Sequence, residues 1–481
     1  MSGGLELGAV QFSRLTRRGV LLGLTVGQLC AVGTAVVVFV GCLYTGHSDL
    51  LLLTTPLWGA AVAAAFIPVA GRKAIDWIPV TGHWLLRNLA QQTRYRRRIS
   101  RPVPAGSLAL PGDAAGLREY HDSVTGAVMV HDPHQHTLTA ILTVTHSAFV
   151  LQDPTAQQRR VDGFGRVLAS ACRSGRIARL QVLERTLPDS GAGLADWWAR
   201  HGVTTDSFTT RTYRSLIERA GPAAERHATT ISIALDLTRA TRPIRAAGGG
   251  IPGAAVVLRQ EMDTLSTALR NAGLRPGGWC TPSELATMLL TGYDPHAGRG
   301  RGQDVPDRGF DTSGPVAVDE HWDRLRTDSA HHAVLWISEW SRSAVFPGFL
   351  APLVLSTGVR RTISITYTPV DAERAVREIR RRKTEHLADS VGRARFGQLD
   401  DARHSAEYGD VLQQEADLTA GHGILRYTGL ITVSAPTLDG LETAIATIEQ
   451  AAIQASCETR RLVGQQSQGF AAAALPLARP L

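Results

Sequence analysis

Lysine is nearly missing: Lys73 and Lys383 are the only two among 51 basic side chains. That scarcity excludes a large class of proteins. A phosphate-binding P-loop ends in Gly-Lys-Ser/Thr, because its backbone cradles the phosphates while the lysine reaches the β/γ oxygens. Lys73 lies between Arg72 and Ala74, and Lys383 between Arg382 and Thr384. Neither fits, so ATP hydrolysis by this chain alone is not expected. Cysteine is sparse as well. Cys30, Cys42, Cys172, Cys280 and Cys457 lie far apart with no CxxC pair, which argues against a disulfide scaffold or zinc ribbon and suits a reducing compartment. No Gly-x-Ser-x-Gly, His-Glu-x-x-His or nucleophile–base pair occurs. The expectation is a non-enzyme with no catalytic residue, no metal ligand and no cofactor.

The net charge of +8 is local. Residues 72–101 hold eight basic groups (Arg72, Lys73, Arg87, Arg94, Arg96, Arg97, Arg98, Arg101) against Asp76, a net +7. The 380 residues that follow carry 40 basic and 40 acidic groups. A general nucleic-acid coat is therefore excluded, and one short stretch carries the excess.

Two uncharged runs precede that stretch. Val20–Tyr44 has 25 residues, a helix of roughly 37 Å, and Leu50–Ala70 has 21, roughly 30 Å. Thr45–Asp49 between them reads as a tight turn, and Arg14, Arg17 and Arg18 flank the first run. The pattern predicts a membrane hairpin over 1–71 with both termini cytoplasmic, by the excess of positive charge at its outer ends. A cleaved signal peptide is the rival, which the length of the run and the second run behind it oppose. In the basic segment 72–101, Trp77 and Trp84 are seven apart, as suits rings at the headgroup level. Arg94, Arg96, Arg97 and Arg98 read as a lipid anchor. Contact with nucleic acid is the alternative, since Tyr95 is interleaved among them.

The remainder divides into a first region, 102–330, and a second, 331–481. Residues 102–116, rich in Pro and Gly, read as a linker. Alternating or branched runs predict strands at Thr137–His146, Ile177–Arg185, Thr229–Leu237, Val334–Glu339, Arg361–Thr368, Ile424–Ser434 and Glu458–Leu462. Helices are predicted over Gln157–Ser174, Ala254–Asn271, Cys280–Leu290 and Leu438–Ala455, with one long charged helix from Asp371 to about Glu415, bent near Gly392 and Gly397. Phe346–Leu355 reads as an apolar elbow, and Tyr293–Gly314 as a flexible loop. The fold expected is two N-terminal transmembrane helices followed by a cytoplasmic mixed α/β (α+β) region, and the strand–helix rhythm hints at an internal duplication.

The remaining motifs are weak. His131, His134 and His136 match no closed metal site and read as a solvated turn. Gly248-Gly249-Gly250 lacks the rest of a dinucleotide fingerprint and reads as a hinge. Trp197-Trp198 reads as core packing. Arg374, Arg377, Arg380, Arg381, Arg382 and Lys383 alternate with Glu373, Glu378 and Glu385, so a solvated, ion-paired face is preferred to a docking site for an acidic partner.

The two runs and their basic, Trp-containing exit resemble the PrgI-like membrane subunit of type IV secretion and conjugation systems. Trp336–Trp340, Phe346–Leu350, Arg361–Pro369, Tyr427–Ala435, Leu438–Glu442 and Gln465–Arg479 together resemble the N-terminal, non-nucleotide-binding domain of the conjugation ATPase family. The nucleotide-binding half of that family has no counterpart here. The resemblance implies an inner-membrane scaffold subunit of an actinobacterial-type conjugation or type IV-like secretion machine. It would belong to an oligomeric membrane complex and position a separate ATPase. Phe349, Leu350, Gln465, Gln466, Phe470, Leu475 and Pro476 are the docking residues it suggests, with membrane lipid as the other partner. Rival readings are an accessory subunit of a type VII secretion complex and a membrane-tethered nucleic-acid-binding protein.

Overall fold

In this computed structural model the residues described are 26–44, 48–69, 72–98, 100, 104–145, 149–188, 192–203, 205–220, 225–295, 297, 309–341, 343, 345–395, 402–419 and 423–481. The chain forms two compact units, Ser13–Thr93 and Arg94–Leu481.

The smaller unit holds α1 (Val26–Tyr44), α2 (Ser48–Phe66), the two-residue strands β1 (Pro68–Val69) and β2 (Arg72–Lys73), and α3 (Ala74–Leu89). Gln28 on α1 is its buried polar link. Its Nε2 donates to the Ala65 carbonyl at 2.6 Å, and its Oε1 accepts from Lys73 Nζ at 2.8 Å. The expectation of two transmembrane helices is corrected here. Among the described residues one helix is long and apolar enough to cross a membrane: Gly27–Tyr44 within α1, with mean hydropathy 1.8 and 11% of that window buried. α2 is also apolar, with Asp49 near its start and Pro56 inside it, but the side chains of residues 48–53 and 57 lie outside those described. Residues 20–25, where the first run was expected to begin, lie outside the described residues.

The larger unit begins at β3 (Arg94–Arg96) and continues with β4 (Arg118–His121), β5 (Val128–Asp132), β6 (Thr137–Thr145), α4 (Pro154–Ser174), β7 (Ile177–Pro188), α5 (Ala192–His201), α6 (Phe208–Ala220), β8 (Glu225–Asp236), α7 (Thr241–Ala246), α8 (Gly250–Asn271), β9 (Arg275–Trp279) and α9 (Pro282–Tyr293). The second run of elements is β10 (Ala317–Glu320), β11 (Leu325–Arg326), β12 (His331–Glu339), α10 (Ala351–Val354), β13 (Arg360–Pro369), α11 (Ala372–Arg395), α12 (Ala402–Thr419), β14 (Leu425–Ala435), α13 (Leu438–Gln454), β15 (Glu458–Arg461) and α14 (Gln466–Ala473). Strands β3–β15 form one sheet in the order β3-β10-β11-β12-β14-β13-β7-β8-β6-β5-β4, with β9 beside β6 and β15 beside β12.

That order contains the same motif twice. Strands β6, β7, β8 and β9 lie as β9-β6-β8-β7, and β12, β13, β14 and β15 lie as β15-β12-β14-β13, all antiparallel. Each set is the β-α-β-β-α-β arrangement of ferredoxin-like folds. Each is preceded by a hairpin (β4–β5, β10–β11), interrupted between its second and third strands by a helix pair (α5–α6, α11–α12), and followed by one more helix (α9, α14). The halves meet where β7 pairs antiparallel with β13, from Thr362 opposite Arg185 to Tyr367 opposite Leu180. A pseudo-two-fold axis therefore runs between them, and the duplication hinted at by the strand–helix rhythm spans both.

Alternation along the strands separates the two faces of the sheet. Ala140 and Leu142 of β6 pack with α4 and α8, whereas Ile141 faces α9. Ala333, Leu335 and Ile337 of β12 pack under α13, whereas Val334 faces α14. Helix ends follow local chemistry. Asp153 caps α4 ahead of Pro154, and Gly175 ends it at φ 63°. Thr281 and Glu284 form a capping box on α9.

Two sequence expectations change. The stretch read as a linker over 102–116 is part of the core in its described portion: Leu108, Leu110 and Ala114 are buried with α9 and α14. The long helix expected from 371 to 415 is two helices, since Lys383 Nζ meets Glu415 at 2.6 Å. In one continuous helix those residues would stand roughly 48 Å apart, so α12 returns along α11. The intervening residues 396–401, including Gly397, lie outside the described residues, as does most of the expected loop 293–314.

Candidate functional site

The docking residues expected near the end of the chain belong to the interior. Gln466, Phe470, Leu475 and Pro476 are buried, and Gln465 is half-buried. After α14 the chain lies across the seam between the halves as a strap. Gln181 on β7 donates from Nε2 to the carbonyls of Ala472 (2.9 Å) and Leu475 (3.2 Å) and accepts at Oε1 from Ala478 N–H (2.7 Å). Ser232 of β8 donates to Pro476 O at 2.8 Å, and Arg479 Nε pairs with buried Asp132 at 3.1 Å. Gln466 bridges Val334 N–H, Asp323 O and Leu462 O. Phe349 and Leu350 pack on the core beneath α13. These side chains hold the fold together and offer a partner little surface.

Buried polar groups under the strap have structural partners. Arg185 of β7 is fully enclosed; burial, then the neighbouring cations Arg360 and Arg226, pull it down to about 9. It donates to Thr291 Oγ1 at 2.8 Å, while Arg360 donates to the carbonyls of Thr291 (2.7 Å) and Pro295. The two guanidinium groups thus meet the carbonyl end of α9, the negative end of its dipole. His332 is held between Thr327 Oγ1 (2.9 Å) and Ser434 Oγ (2.8 Å), and burial, with Arg360 nearby, pulls it down to about 3. Thr327 gives its own proton to Tyr293 O, so it accepts from Nε2–H, and Ser434 donates to Nδ1. Burial and then Glu284 push Cys280 up to about 12, leaving a thiol at neutral pH. His131 lies on β5 and His134 and His136 in the turn after it, where Asp132 accepts from two backbone amides. No cluster able to hold a metal occurs among the described residues.

Two surfaces remain open. The first is the helix pair α5–α6 between β7 and β8. Trp198 packs on Tyr213 with ring centroids 4.7 Å apart and joins the two helices. Trp197 does not enter the core, contrary to the expectation for the pair: it is 50% exposed and stacks on His201 at 5.1 Å. Phe208 is 77% exposed and Leu216 59%. They are eight residues apart on α6 and so share one helical stripe.

The second is the outer face of the strands at one end of the sheet. β3 pairs with β10, β10 with β11, and β11 with the start of β12, which puts Arg94, Asp319, Arg326 and His331 in one row. Directly paired residues share a face, and residues two apart on a strand return to it, so Arg96, His321 and Arg324 join the set. Arg94, Arg96, His321 and Arg326 are exposed; Arg324, His331 and Asp319 are half-buried. Asp319 is held by Arg96 at 2.8 Å, and that bond, with Arg94 close by, keeps its carboxyl below the usual range. Burial lowers His321 and His331, and the surrounding arginines lower them further. Of the residues expected to anchor the chain to lipid, Arg94 and Arg96 thus lie in a strand, and Arg97 and exposed Arg98 follow it. Trp77 and Trp84 are half-buried on α3 in the smaller unit. Sequence reasoning missed His321, Arg324, Arg326 and His331, because they stand more than 220 residues from β3 and only strand pairing brings them to it. Two arginines of α11 are ion-paired at its surface, Arg377 with Glu373 and Arg382 with Glu378.

No family model matches the chain, and no curated protein matches it.

Proposed function

We propose that this chain is a scaffold subunit of a conjugation or type IV-like secretion machine, held at the cytoplasmic face of the plasma membrane, where it docks and positions a separate motor ATPase. The observation that carries the reading is the exposed apolar set on α5–α6. Large aromatic and aliphatic side chains presented on an inserted helix pair are the usual anchors of a protein interface. Trp197, Phe208, Tyr213 and Leu216 are exposed there, and they replace the interior residues as the docking surface. The apolar helix α1 supports the membrane placement. The resemblance of the strand and helix order to an ATPase family's non-catalytic domain supports a partner that carries the nucleotide site.

The test is purification of the full chain from its native membrane in mild detergent. An ATPase should co-purify, and a Trp197→Ser/Phe208→Ser double variant should lose it while keeping the same level in the membrane. Retention of the ATPase by that variant refutes the docking surface. Recovery of a type VII secretion pore in place of an ATPase refutes the assignment to a conjugation-type machine.

A further inference from the structure

The row of cations at the end of the sheet is a surface whose charge is incompletely matched. Arg94, Arg96, Arg324 and Arg326 share the face with one carboxylate from the paired strands, Asp319, and Arg96 occupies it. Two nearby acids offset part of this charge, Asp323 at Arg324 and Asp328 close to Arg96, which leaves Arg94 and Arg326 as the exposed cations of the row outside the ion pairs described. Asp328 accepts from the backbone amides of Val316 and Ala317, and Asp323 pairs with Arg324 and Arg461. Glu320, next along β10, faces the opposite side and accepts from Ser467 N–H.

We propose that this face binds the phosphates of anionic lipid headgroups. Exposed arginines spread along four paired strands present many donors side by side, which suits an array of phosphates better than one defined small ligand. Nucleic acid fits less well. Tyr95 is the aromatic residue of β3, and it points to the other face, where it packs on the core. Trp322, in the turn between His321 and Arg324, is half-buried, so one aromatic ring stands at the end of the row where single-stranded nucleic acid would need several to stack on. The chain also supplies the apolar elements that accompany a lipid surface. α1 is long and apolar enough to cross a membrane, and α3, which ends five residues before β3 begins, exposes Ile78, Leu85, Leu86 and Leu89. The inference rests on the membrane placement proposed above but not on the ATPase.

The test uses the full chain in neutral detergent micelles, titrated with short-chain phosphatidylglycerol or, separately, short-chain phosphatidylcholine, with binding followed calorimetrically. Phosphatidylglycerol should bind and phosphatidylcholine should not, and raised salt should weaken the binding. An Arg94→Gln/Arg326→Gln double variant should bind about thirty-fold more weakly, from roughly a fivefold contribution of each arginine beside an anionic surface. An Arg374→Gln/Arg380→Gln variant, with the same charge change on α11, should bind as the parent does. All four side chains are exposed, and unchanged circular dichroism checks that each variant folds. Equal binding of the two lipids, or equal losses in the two variants, overturns the proposal. So does single-stranded DNA that binds more tightly than phosphatidylglycerol through the same arginines. Because the ATPase is scored separately by co-purification, loss of one result leaves the other standing.

Discussion

Replacing Gln181 with leucine tests whether the strap is held where the geometry puts it. Gln181 is fully buried on β7 at the seam, and its amide reaches four groups: Ser364 Oγ at 2.9 Å, the carbonyls of Ala472 and Leu475, and the amide of Ala478. Leucine fills nearly the same volume, so the cavity term stays small. Leu475 O keeps the amide of Leu477 at 2.9 Å, and Ala472 O keeps Ser364 Oγ at 3.2 Å. The Ala478 amide is left with no acceptor in a buried site, which costs about 1–3 kcal/mol, and two further bonds are lost at about 0.5–1.5 kcal/mol each. The sum is about 3 kcal/mol, and it falls on residues 474–479, because the strands have their own ladders. Hydrogen exchange read by mass spectrometry should show the C-terminal peptide opening about 150-fold more often, with the β12–β14 peptides nearly unchanged. A change under fivefold in that peptide would mean that Gln181 does not hold the strap. An equal change throughout would mean that strap and sheet open as one unit.

Acid should weaken the fold through His332. Above the ordinary histidine value of about 6.5 the ring is neutral in both folded and unfolded chains; below it the unfolded chain takes up a proton that the folded chain refuses down to about 3. Stability is therefore lost as pH falls from 6.5, by about 2 kcal/mol at pH 5. Denaturant unfolding of His332→Gln should lack that part of the slope, and parallel slopes for variant and parent would refute the assignment. Gly429, in the middle of β14, lies under the Trp340 indole, and a methyl group there would come within 2.6 Å of the ring. Gly429→Ala should lower stability by about 1–3 kcal/mol, read as a fall in the thermal midpoint, whereas an unchanged midpoint would show that Trp340 yields freely.

Local pattern revealed the strands well, since the branched and apolar runs in Thr137–Thr145 and Leu425–Ala435 match near-continuous burial on both faces of the sheet. It misled where composition stood in for packing. Pro and Gly near Leu108 and Leu110 suggested a linker, yet the apolar residues between them enter the core. A charged helical period continued through 371–415 although the chain reverses within it, because periodicity carries no information on where a helix turns back. The apolar Phe470–Pro476 stretch resembled a docking element, but an apolar segment satisfied by its own sheet looks the same in sequence as one awaiting a partner. The cationic face was half legible. Arg94 and Arg96 stood out as a charge run, whereas Arg324 and Arg326 are unremarkable until β10 and β11 carry them to β3.

The duplication explains why the open surfaces lie at the periphery. At the pseudo-two-fold seam each half closes over the other. The carbonyl end of α9 is met by Arg185 from one half and Arg360 from the other; the end of α14 at Ala472 is held by Gln181 and Ser364, one from each half, and the strap beyond it by Gln181 and Ser232. Polar groups at the seam are committed to joining the halves. The halves differ away from the seam. The α5–α6 insertion is short and exposes Trp197 and Phe208, whereas its counterpart α11–α12 is long, charged and ion-paired. β3 extends the sheet beyond β10 with arginines, whereas the corresponding hairpin strand β4 ends the sheet on the other side. A duplicated fold needs both copies to keep the residues that bury the seam, so the positions left free to acquire separate contacts are the insertions and the edges. Those are the positions where this chain presents an apolar surface and a cationic one.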